Sequence, residues 1–195
     1  IFKPEMPKEW SKNISEWLST EDIENVLNQY EKKYNDFIFI GAVPIDFDHR
    51  FSTGNCVINE LCNINIKSLI KKGKTKIGII FNLDKHDEDG SHWVSFFCDL
   101  KKNIIYYFDS YGYNPPKEVL NLIKKIKLQG EKLDKKFKVL INNVRHQYKN
   151  SECGVYSINF IEKLLNKVPF SKISTNKIKD DDIQKKRHMY FIKSH

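Results

Sequence analysis

The stretch Asn143-Val-Arg-His-Gln-Tyr-Lys-Asn-Ser-Glu-Cys153-Gly-Val-Tyr-Ser-Ile-Asn-Phe-Ile161 places a single cysteine between a loop and an apolar segment. The apolar residues that follow have helical spacing, at Val155, Ile158, Ile161, Leu164 and Leu165. This pattern predicts a mostly buried helix from Cys153 to about Lys167. At a helix N-terminus, the first-turn amides and the helix dipole favour the nucleophilic thiolate form of a cysteine. Cys153 is therefore a candidate nucleophile, although a structural cysteine at a helix start has the same local pattern.

Two neighbours of Cys153 fit a catalytic interpretation. Gly154 leaves no side chain in the path of an approaching substrate. Gln147, six residues before Cys153, is placed to turn its amide N–H groups toward an oxyanion formed at an attacked carbonyl. A solvated loop glutamine explains Gln147 equally well in isolation, so the interpretation depends on residues further upstream.

A histidine and an aspartate upstream are predicted to lie at the same end of two neighbouring strands. Apolar and β-branched runs predict strands at residues 75–83, 92–100 and 104–109. The segment Asp99-Leu-Lys-Lys-Asn103 reverses the chain into an antiparallel hairpin. A reversal centred near residues 101–102 places residues 109–112 opposite His92. The imidazole of His92 and the carboxylate of Asp109 are then within side-chain reach.

These residues supply the groups that a cysteine protease requires. Such an enzyme needs a thiolate, a histidine that pairs with it and later protonates the leaving amine, and an acceptor that orients the imidazole. Two alternatives remain open. His146 is nearer to Cys153 in sequence and is a rival base, and Cys56 is a weaker alternative nucleophile. Cys98 falls on the apolar face of its strand and is expected in the core.

The same residues resemble a known peptidase family. His92-Trp93, Tyr107-Phe-Asp-Ser110 and Gln147 with five residues before Cys153-Gly154 are similar to the family of the ubiquitin-like-protein proteases and the adenovirus maturation protease. The order His, Asp, Gln, Cys is that of the family, and the resemblance covers about residues 17–165. The sequence around Arg145 and Glu152 is most similar to the processing proteases of large DNA viruses.

The resemblance implies a role for each matching residue. His92 is the base, Asp109 orients it, Cys153 is the nucleophile and Gln147 is the oxyanion donor. Trp93 is implied to form the wall of a narrow channel through which a Gly-Gly tail reaches the thiol. The neighbours of the nucleophile, Gly154 and Glu152, are grouped with Trp93 as substrate-binding residues.

The implied fold is α+β, of the papain-like type, with a central mixed or antiparallel sheet flanked by helices and the nucleophile at the N-terminus of a buried helix. The implied function is hydrolysis of peptide or isopeptide bonds after glycine, with ubiquitin or ubiquitin-like conjugates as substrates and partners. Processing of a viral polyprotein is an alternative within the same family. Acyl transfer, as in bacterial effectors with a similar site, and a non-catalytic binding module are alternatives of other classes.

Composition limits the remaining possibilities. The 195 residues, 40% apolar and 13% aromatic, predict one catalytic domain, with an N-terminal arm (1–17), a protease core (18–167) and a C-terminal helical extension (168–195). Neither a signal peptide nor an apolar run of membrane-spanning length is seen, so no membrane partner is expected. The net charge of +8 makes nucleic acid a possible but minor partner.

The four cysteines form no C-x-x-C pair and have no histidine at zinc-ligand spacing, so neither a metal nor a cofactor is expected. Free thiols are predicted for all four. This predicts a reducing compartment, namely the cytoplasm or nucleus of a host, or a virion.

The rest of the chain is predicted to form helices and strands around this core. In the arm, Trp10 and Trp17 are expected to pin an extended segment to the body. Helices are predicted from a cap at Ser19 or Thr20 to residue 34, over 57–72 and 117–127, and over 181–192. Strands are predicted over 37–43, closed by Pro44, and over 137–144, while Gly130 is expected in a loop.

Overall fold

The computed structural model describes residues 2–193 of the 195-residue chain, and a five-stranded mixed sheet lies at its centre. In both chain and spatial order the strands are β1 (Phe37–Pro44), β2 (Lys76–Asn82), β3 (Trp93–Asp99), β4 (Ile104–Phe108) and β5 (Lys138–Ile141). The two outer pairs, β1 with β2 and β4 with β5, are parallel, and the two inner pairings are antiparallel. The predicted α+β class with a mixed sheet is confirmed.

Helices cover both faces of this sheet. They are a 3-10 helix (Lys8–Ser11), α1 (Thr20–Lys33), α2 (Asn59–Cys62), α3 (Ile66–Lys71), α4 (Lys117–Glu131), α5 (Cys153–Leu165), α6 (Phe170–Thr175), α7 (Asp180–Lys185) and α8 (Arg187–Tyr190). Within residues 2–193, no helix has the length and apolar character needed to cross a membrane.

Strand alternation divides the core into two layers. Ile80 and Phe97 face a layer formed with α1, α5 and the C-terminal helices, whereas their neighbours Ile79 and Phe96 face a layer formed with α2, α3 and α4. The helix α5 is buried along nearly its whole length against the first face. The predicted buried helix that begins at Cys153 is therefore present.

The N-terminal arm is held by the C-terminus of the described chain. The amide of Met6 donates to the carbonyl of Ile192 at 2.8 Å, and the amide of Ile192 donates to the carbonyl of Pro4 at 2.9 Å. Trp10 is buried with its ring centroid 4.8 Å from that of Phe191, as expected for a residue that pins the arm. Trp17 instead is 38% exposed. The expectation that both indoles pin the arm is thus correct for Trp10 alone.

Two predicted helices are interrupted. The helix predicted over 57–72 is split into α2 and α3, because the side chain of Asn65 caps α3 by accepting a hydrogen bond from the amide of Ser68 at 2.9 Å. The helix predicted over 181–192 is likewise split into α7 and α8. It ends at Tyr190, because Ile192 is extended and pairs with the arm.

The ends of one helix and one strand differ from their predicted positions, each because of a local contact. The helix α4 continues to Glu131, and Gly130 lies inside it, where a Cβ atom would come within 2.6 Å of the Phe137 ring. The prediction of a loop at Gly130 was wrong. The strand β5 ends at Ile141, because the side chain of Asn142 accepts a hydrogen bond from the amide of Val144 and draws the chain out of the sheet.

The cysteines differ from the prediction of four free thiols. The loop after β1 folds back so that the amide of Val57 donates to the carbonyl of His49, which brings Cys56 against α2. There Cys56 and Cys62 form a disulfide, with their Cα atoms 6.5 Å apart. Cys98 and Cys153 are free and buried, as expected for Cys98. Cys56 is therefore not available as a nucleophile.

Candidate active site

The hairpin of β3 and β4 brings His92 and Asp109 together. Ser95 lies opposite Phe108, and continuing this register places His92 opposite Tyr111, inside the predicted range of 109–112. The Nε2 atom of His92 lies 2.8 Å from Oδ1 of Asp109. Both side chains are buried, with Asp109 only 1% exposed. The pairing predicted from the hairpin is therefore present.

The imidazole is also held from a second direction. The ring of Tyr111 stacks on the ring of His92, with centroids 4.5 Å apart and an interplanar angle of 22°. The amide of Tyr111 donates to the same carboxylate oxygen of Asp109 at 2.8 Å. One turn after β4 therefore fixes the carboxylate and covers one face of the imidazole.

Cys153 is the first residue of α5 and is 1% exposed. Because Asp109 occupies Nε2 of His92, Nδ1 is the ring atom left for the thiol. Burial lowers the pKa of His92, but its hydrogen bond to Asp109 and the proximity of Cys153 raise it, to a final value of about 9. At neutral pH the ring therefore holds a proton that it can donate.

Gln147 is fully buried in the loop before α5. Its Oε1 accepts a hydrogen bond from the hydroxyl of Ser110 at 2.6 Å, and its Nε2 donates to the carbonyl of Lys149 at 2.8 Å. The neighbouring His146 instead makes a 3.0 Å contact to the carbonyl of Ser174, and burial lowers its pKa. His146 is thus engaged away from the thiol, which leaves His92 as the candidate base.

Asp180, in α7, braces the same loop. Its Oδ2 accepts hydrogen bonds from the amides of Tyr148 and Lys149, at 2.9 and 3.0 Å. Its Oδ1 accepts from the hydroxyl of Tyr156, in α5, at 3.2 Å. Sequence analysis missed this residue because more than thirty positions separate it from the loop and its surroundings are merely acidic.

A cleft of about 680 Å³ reaches Trp93, the residue that follows His92 in the chain. It is lined by residues of the arm, β1, the loop before α2 and the acidic loop after β2, including Trp17, Val57, Ile58, Asn82, Gly90 and Trp93. The indole of Trp93 is fixed by a 3.0 Å hydrogen bond from Nε1 to the carbonyl of Leu18. Gly154 packs behind this wall, since a Cβ atom there would lie 3.0 Å from Cβ of Leu18. Its missing side chain therefore makes room for protein packing.

Residues 64–194 match the C-terminal catalytic domain of the Ulp1 protease family. The chain belongs to this family. Its members are cysteine-type peptidases, and the match includes His92, Asp109, Gln147 and Cys153. The family predicted from the residues is thereby confirmed.

Individual relatives agree with this membership. A protein of Acanthamoeba polyphaga mimivirus that is named as a thiol protease is 39% identical over 91% of this chain, and the chain spans 57% of that protein's length. A protein of African swine fever virus named as a SUMO-1 cysteine protease is 29% identical over 93% of this chain and 70% of its own. Both of these relatives are proteins of large DNA viruses, in agreement with the similarity seen in the sequence.

Solved structures of the family have the same fold. The crystal structure of the African swine fever virus protease superposes with a TM-score of 0.80 and 26% identity, covering 99% of this chain and 72% of its own. The yeast Ulp1 protease domain, solved in complex with Smt3, superposes with a TM-score of 0.58 and 19% identity, covering 89% of this chain and 74% of its own. The latter comparison shows the common fold alone.

Glu152, which was predicted to bind substrate, is buried in an ion pair instead. It is 1% exposed and forms a bidentate ion pair with Arg187. Nε of Arg187 donates to Oε2 of Glu152 at 2.9 Å, and Nη2 donates to Oε1 at 2.8 Å. Arg187 also donates to the carbonyl of Glu16 and stacks on the ring of Trp10. The substrate-binding role predicted for Glu152 does not fit this burial. The pair instead ties the N-terminus of α5 to α8 and the arm.

Arg187→Ala is expected to lower the free energy of unfolding by about 3–5 kcal/mol, because it leaves the carboxylate of Glu152 buried without its partner. Urea unfolding measures this difference. The matched control is Asp181→Ala, which breaks an exposed, solvent-screened ion pair with Lys149 and is expected to leave the free energy of unfolding nearly unchanged. Equal destabilisation by the two substitutions would contradict the structural role of the Glu152–Arg187 pair.

Proposed function

We propose that this domain is a cysteine protease that hydrolyses peptide or isopeptide bonds after glycine, with ubiquitin or ubiquitin-like conjugates as its substrates. The roles assigned are nucleophile for Cys153, acid and base for His92, orienting carboxylate for Asp109 and oxyanion donor for Gln147. The observation that carries the proposal is the 2.8 Å contact between His92 and Asp109 in a buried site where Cys153 raises the pKa of the same imidazole.

The first half of the reaction forms a thioester. The Cys153 thiolate attacks the carbonyl carbon, and the electron pair of the C=O bond moves to the oxygen, where an N–H of Gln147 stabilises the negative charge. As the intermediate collapses, the C–N bond breaks and the imidazolium of His92 gives its proton to the departing amine. The pKa of about 9 keeps that proton on the ring at neutral pH until the leaving group needs it.

The second half releases the acyl group. Neutral His92 takes one proton from water as the water oxygen attacks the thioester carbonyl, and the C–S bond then breaks to release the Cys153 thiolate. The acid product loses its remaining proton to solvent and leaves as a carboxylate. Asp109 keeps its hydrogen bond to Nε2 through both halves. It therefore orients the ring without taking a proton itself.

The preference for glycine is inferred from the cleft. Trp93 is adjacent to His92 in sequence, lines the cleft and has its indole fixed by the hydrogen bond to Leu18, and from this we infer that it constricts the approach to the thiol. An acyl residue without a side chain fits such a constriction best. The preference for a modifier draws support from the yeast Ulp1 domain, which is solved with Smt3, and from the name of the African swine fever virus relative.

A substrate panel tests the proposal. Wild-type protein and Cys153→Ala are assayed with ubiquitin and several ubiquitin-like modifiers that carry a C-terminal fluorophore, beside short Gly-Gly-X peptides. A deconjugase is expected to cleave one folded modifier with a kcat/KM orders of magnitude above that for the peptides, because the folded body adds binding surface. The Cys153→Ala protein is expected to cleave none of them.

Other outcomes separate the alternatives. Comparable rates on short Gly-Gly-X peptides and on every modifier would favour polyprotein processing. Transfer of an acetyl group to a partner without cleavage, detected as a mass shift, would favour an acyltransferase. Retained binding without labelling of Cys153 by an electrophilic modifier probe would favour a binding module.

A further inference from the structure

The orientation of the Gln147 amide is determined by its hydrogen-bond partners. A backbone carbonyl accepts hydrogen bonds and never donates, so the atom that faces the carbonyl of Lys149 at 2.8 Å is Nε2. The other amide atom, Oε1, therefore faces Ser110 at 2.6 Å, and the serine hydroxyl is the donor in that contact. One N–H of Gln147 is engaged by Lys149, which leaves the second for an oxyanion.

We propose that Ser110 is a positioning residue for catalysis, whose hydroxyl holds the Gln147 amide with its free N–H toward the oxyanion. The inference rests on the proposed function, since it assigns a helper to the proposed oxyanion donor. Donation into Oε1 also polarises the amide and makes its N–H groups stronger donors. Ser110 therefore acts on the reaction through Gln147 and without touching the substrate.

The contact is built into a buried site. Ser110 is 1% exposed and Gln147 is fully buried, so water does not readily replace the hydroxyl as a donor. Without it, Oε1 would be left unsatisfied, and the amide would gain by rotating away from its catalytic orientation. Loss of the Ser110 hydroxyl therefore disturbs the orientation of the Gln147 amide, which is the proposed oxyanion donor.

The main chain of Ser110 holds the same loop independently of its side chain. Its carbonyl accepts hydrogen bonds from the amides of His146 and Gln147, at 2.8 and 2.9 Å. Ser110→Ala keeps both of these bonds and removes only the hydroxyl. The substitution therefore separates amide orientation from loop placement.

A double-mutant cycle with a Gly-Gly-X amide substrate tests the inference. Gln147→Ala is expected to lower kcat by about 10²–10³-fold, as for loss of one oxyanion donor. Ser110→Ala is expected to lower kcat about tenfold with little change in KM, because the interaction it supports forms in the transition state. In the double variant, the loss is expected to equal that of Gln147→Ala alone.

Alkylation of Cys153 by iodoacetamide provides a second readout. Attack of the thiolate on a saturated carbon displaces iodide and forms no oxyanion, so the alkylation rate is expected to be the same in Ser110→Ala and wild type. A purely structural role would slow alkylation and turnover together. Ser110→Thr keeps the hydroxyl and is expected to retain turnover near that of wild type.

The outcomes distinguish this inference from the proposed function. Slow turnover by Gln147→Ala with normal turnover by Ser110→Ala would overturn the inference alone, as would losses that multiply in the double variant or equal slowing of alkylation. Normal turnover by Gln147→Ala would overturn the proposed oxyanion donor and the inference with it. Should Ser110→Ala not fold, the cycle is run with Ser110→Cys, whose thiol is a weaker hydrogen-bond donor of similar size. A loss of kcat that disappears in the Gln147→Ala background then supports the inference, and an unchanged kcat or a multiplying loss overturns it.

Discussion

Cys153→Ala is expected to abolish turnover of every substrate, by at least about 10⁴-fold, while leaving the fold intact. The sulfur is the atom that forms the acyl bond, and removing a catalytic nucleophile costs rates of this order. The alanine side chain fits the same buried position at the start of α5, so the helix keeps its packing against the sheet. Initial rates measure the first expectation, and circular dichroism with thermal unfolding measures the second.

Cys98→Ala is the matched control. Cys98 is the other free cysteine and is also buried, but it lies in β3 and packs in the opposite core layer, where burial raises the pKa of its thiol. Its replacement is expected to cost some stability and to leave kcat unchanged. Turnover at the wild-type rate by Cys153→Ala would remove the basis for the proposed mechanism.

The parts of the fold and site that were predictable from the sequence are those with a short-range signal. The hairpin between β3 and β4 turns within a few residues, and this alone limits the partners of His92 to a four-residue window that contains Asp109. The buried helix that begins at Cys153 is predicted by one run of apolar residues at helical spacing. Capping at Ser19 is equally local, because its hydroxyl and the Asp22 carboxylate satisfy each other's backbone amides.

The parts that were not predictable depend on contacts between distant segments. The Glu152–Arg187 pair joins residues 35 positions apart, so no local pattern indicates that the fold buries the two charges together. The contact between Ser110 and Gln147 spans 37 positions in the same way. The Cys56–Cys62 disulfide depends on how the loop after β1 folds back, which its composition does not indicate.

His92→Ala is expected to lower kcat for amide substrates nearly as far as Cys153→Ala, by about 10³-fold or more. The variant loses the cation that pairs with the thiolate and the proton that the leaving amine requires, and both contribute to the same transition state. Asp109→Asn is the milder control, because the amide oxygen of asparagine still accepts a hydrogen bond from Nε2 and keeps the ring oriented.

The pH dependence of turnover shows whether His92 is the acid. Its pKa is raised to about 9, so the imidazolium predominates below that pH and is lost as the pH rises through it. In the wild type, kcat/KM for amide substrates is therefore expected to decline above about pH 9. In Asp109→Asn the decline is expected at lower pH, because the carboxylate charge no longer offsets the burial of the ring.

A p-nitrophenyl ester of the same acyl group isolates the proton-transfer step. Its leaving group departs as an anion and needs no proton, so His92→Ala is expected to lose much less acylation rate on the ester than on the amide, and the wild-type decline above pH 9 is expected to weaken. A His92→Ala variant that keeps amide turnover within tenfold of wild type, or keeps the decline near pH 9, would show that another group donates the proton. The neighbouring candidate, His146, is already engaged with Ser174, so such a result would require the loop before α5 to rearrange.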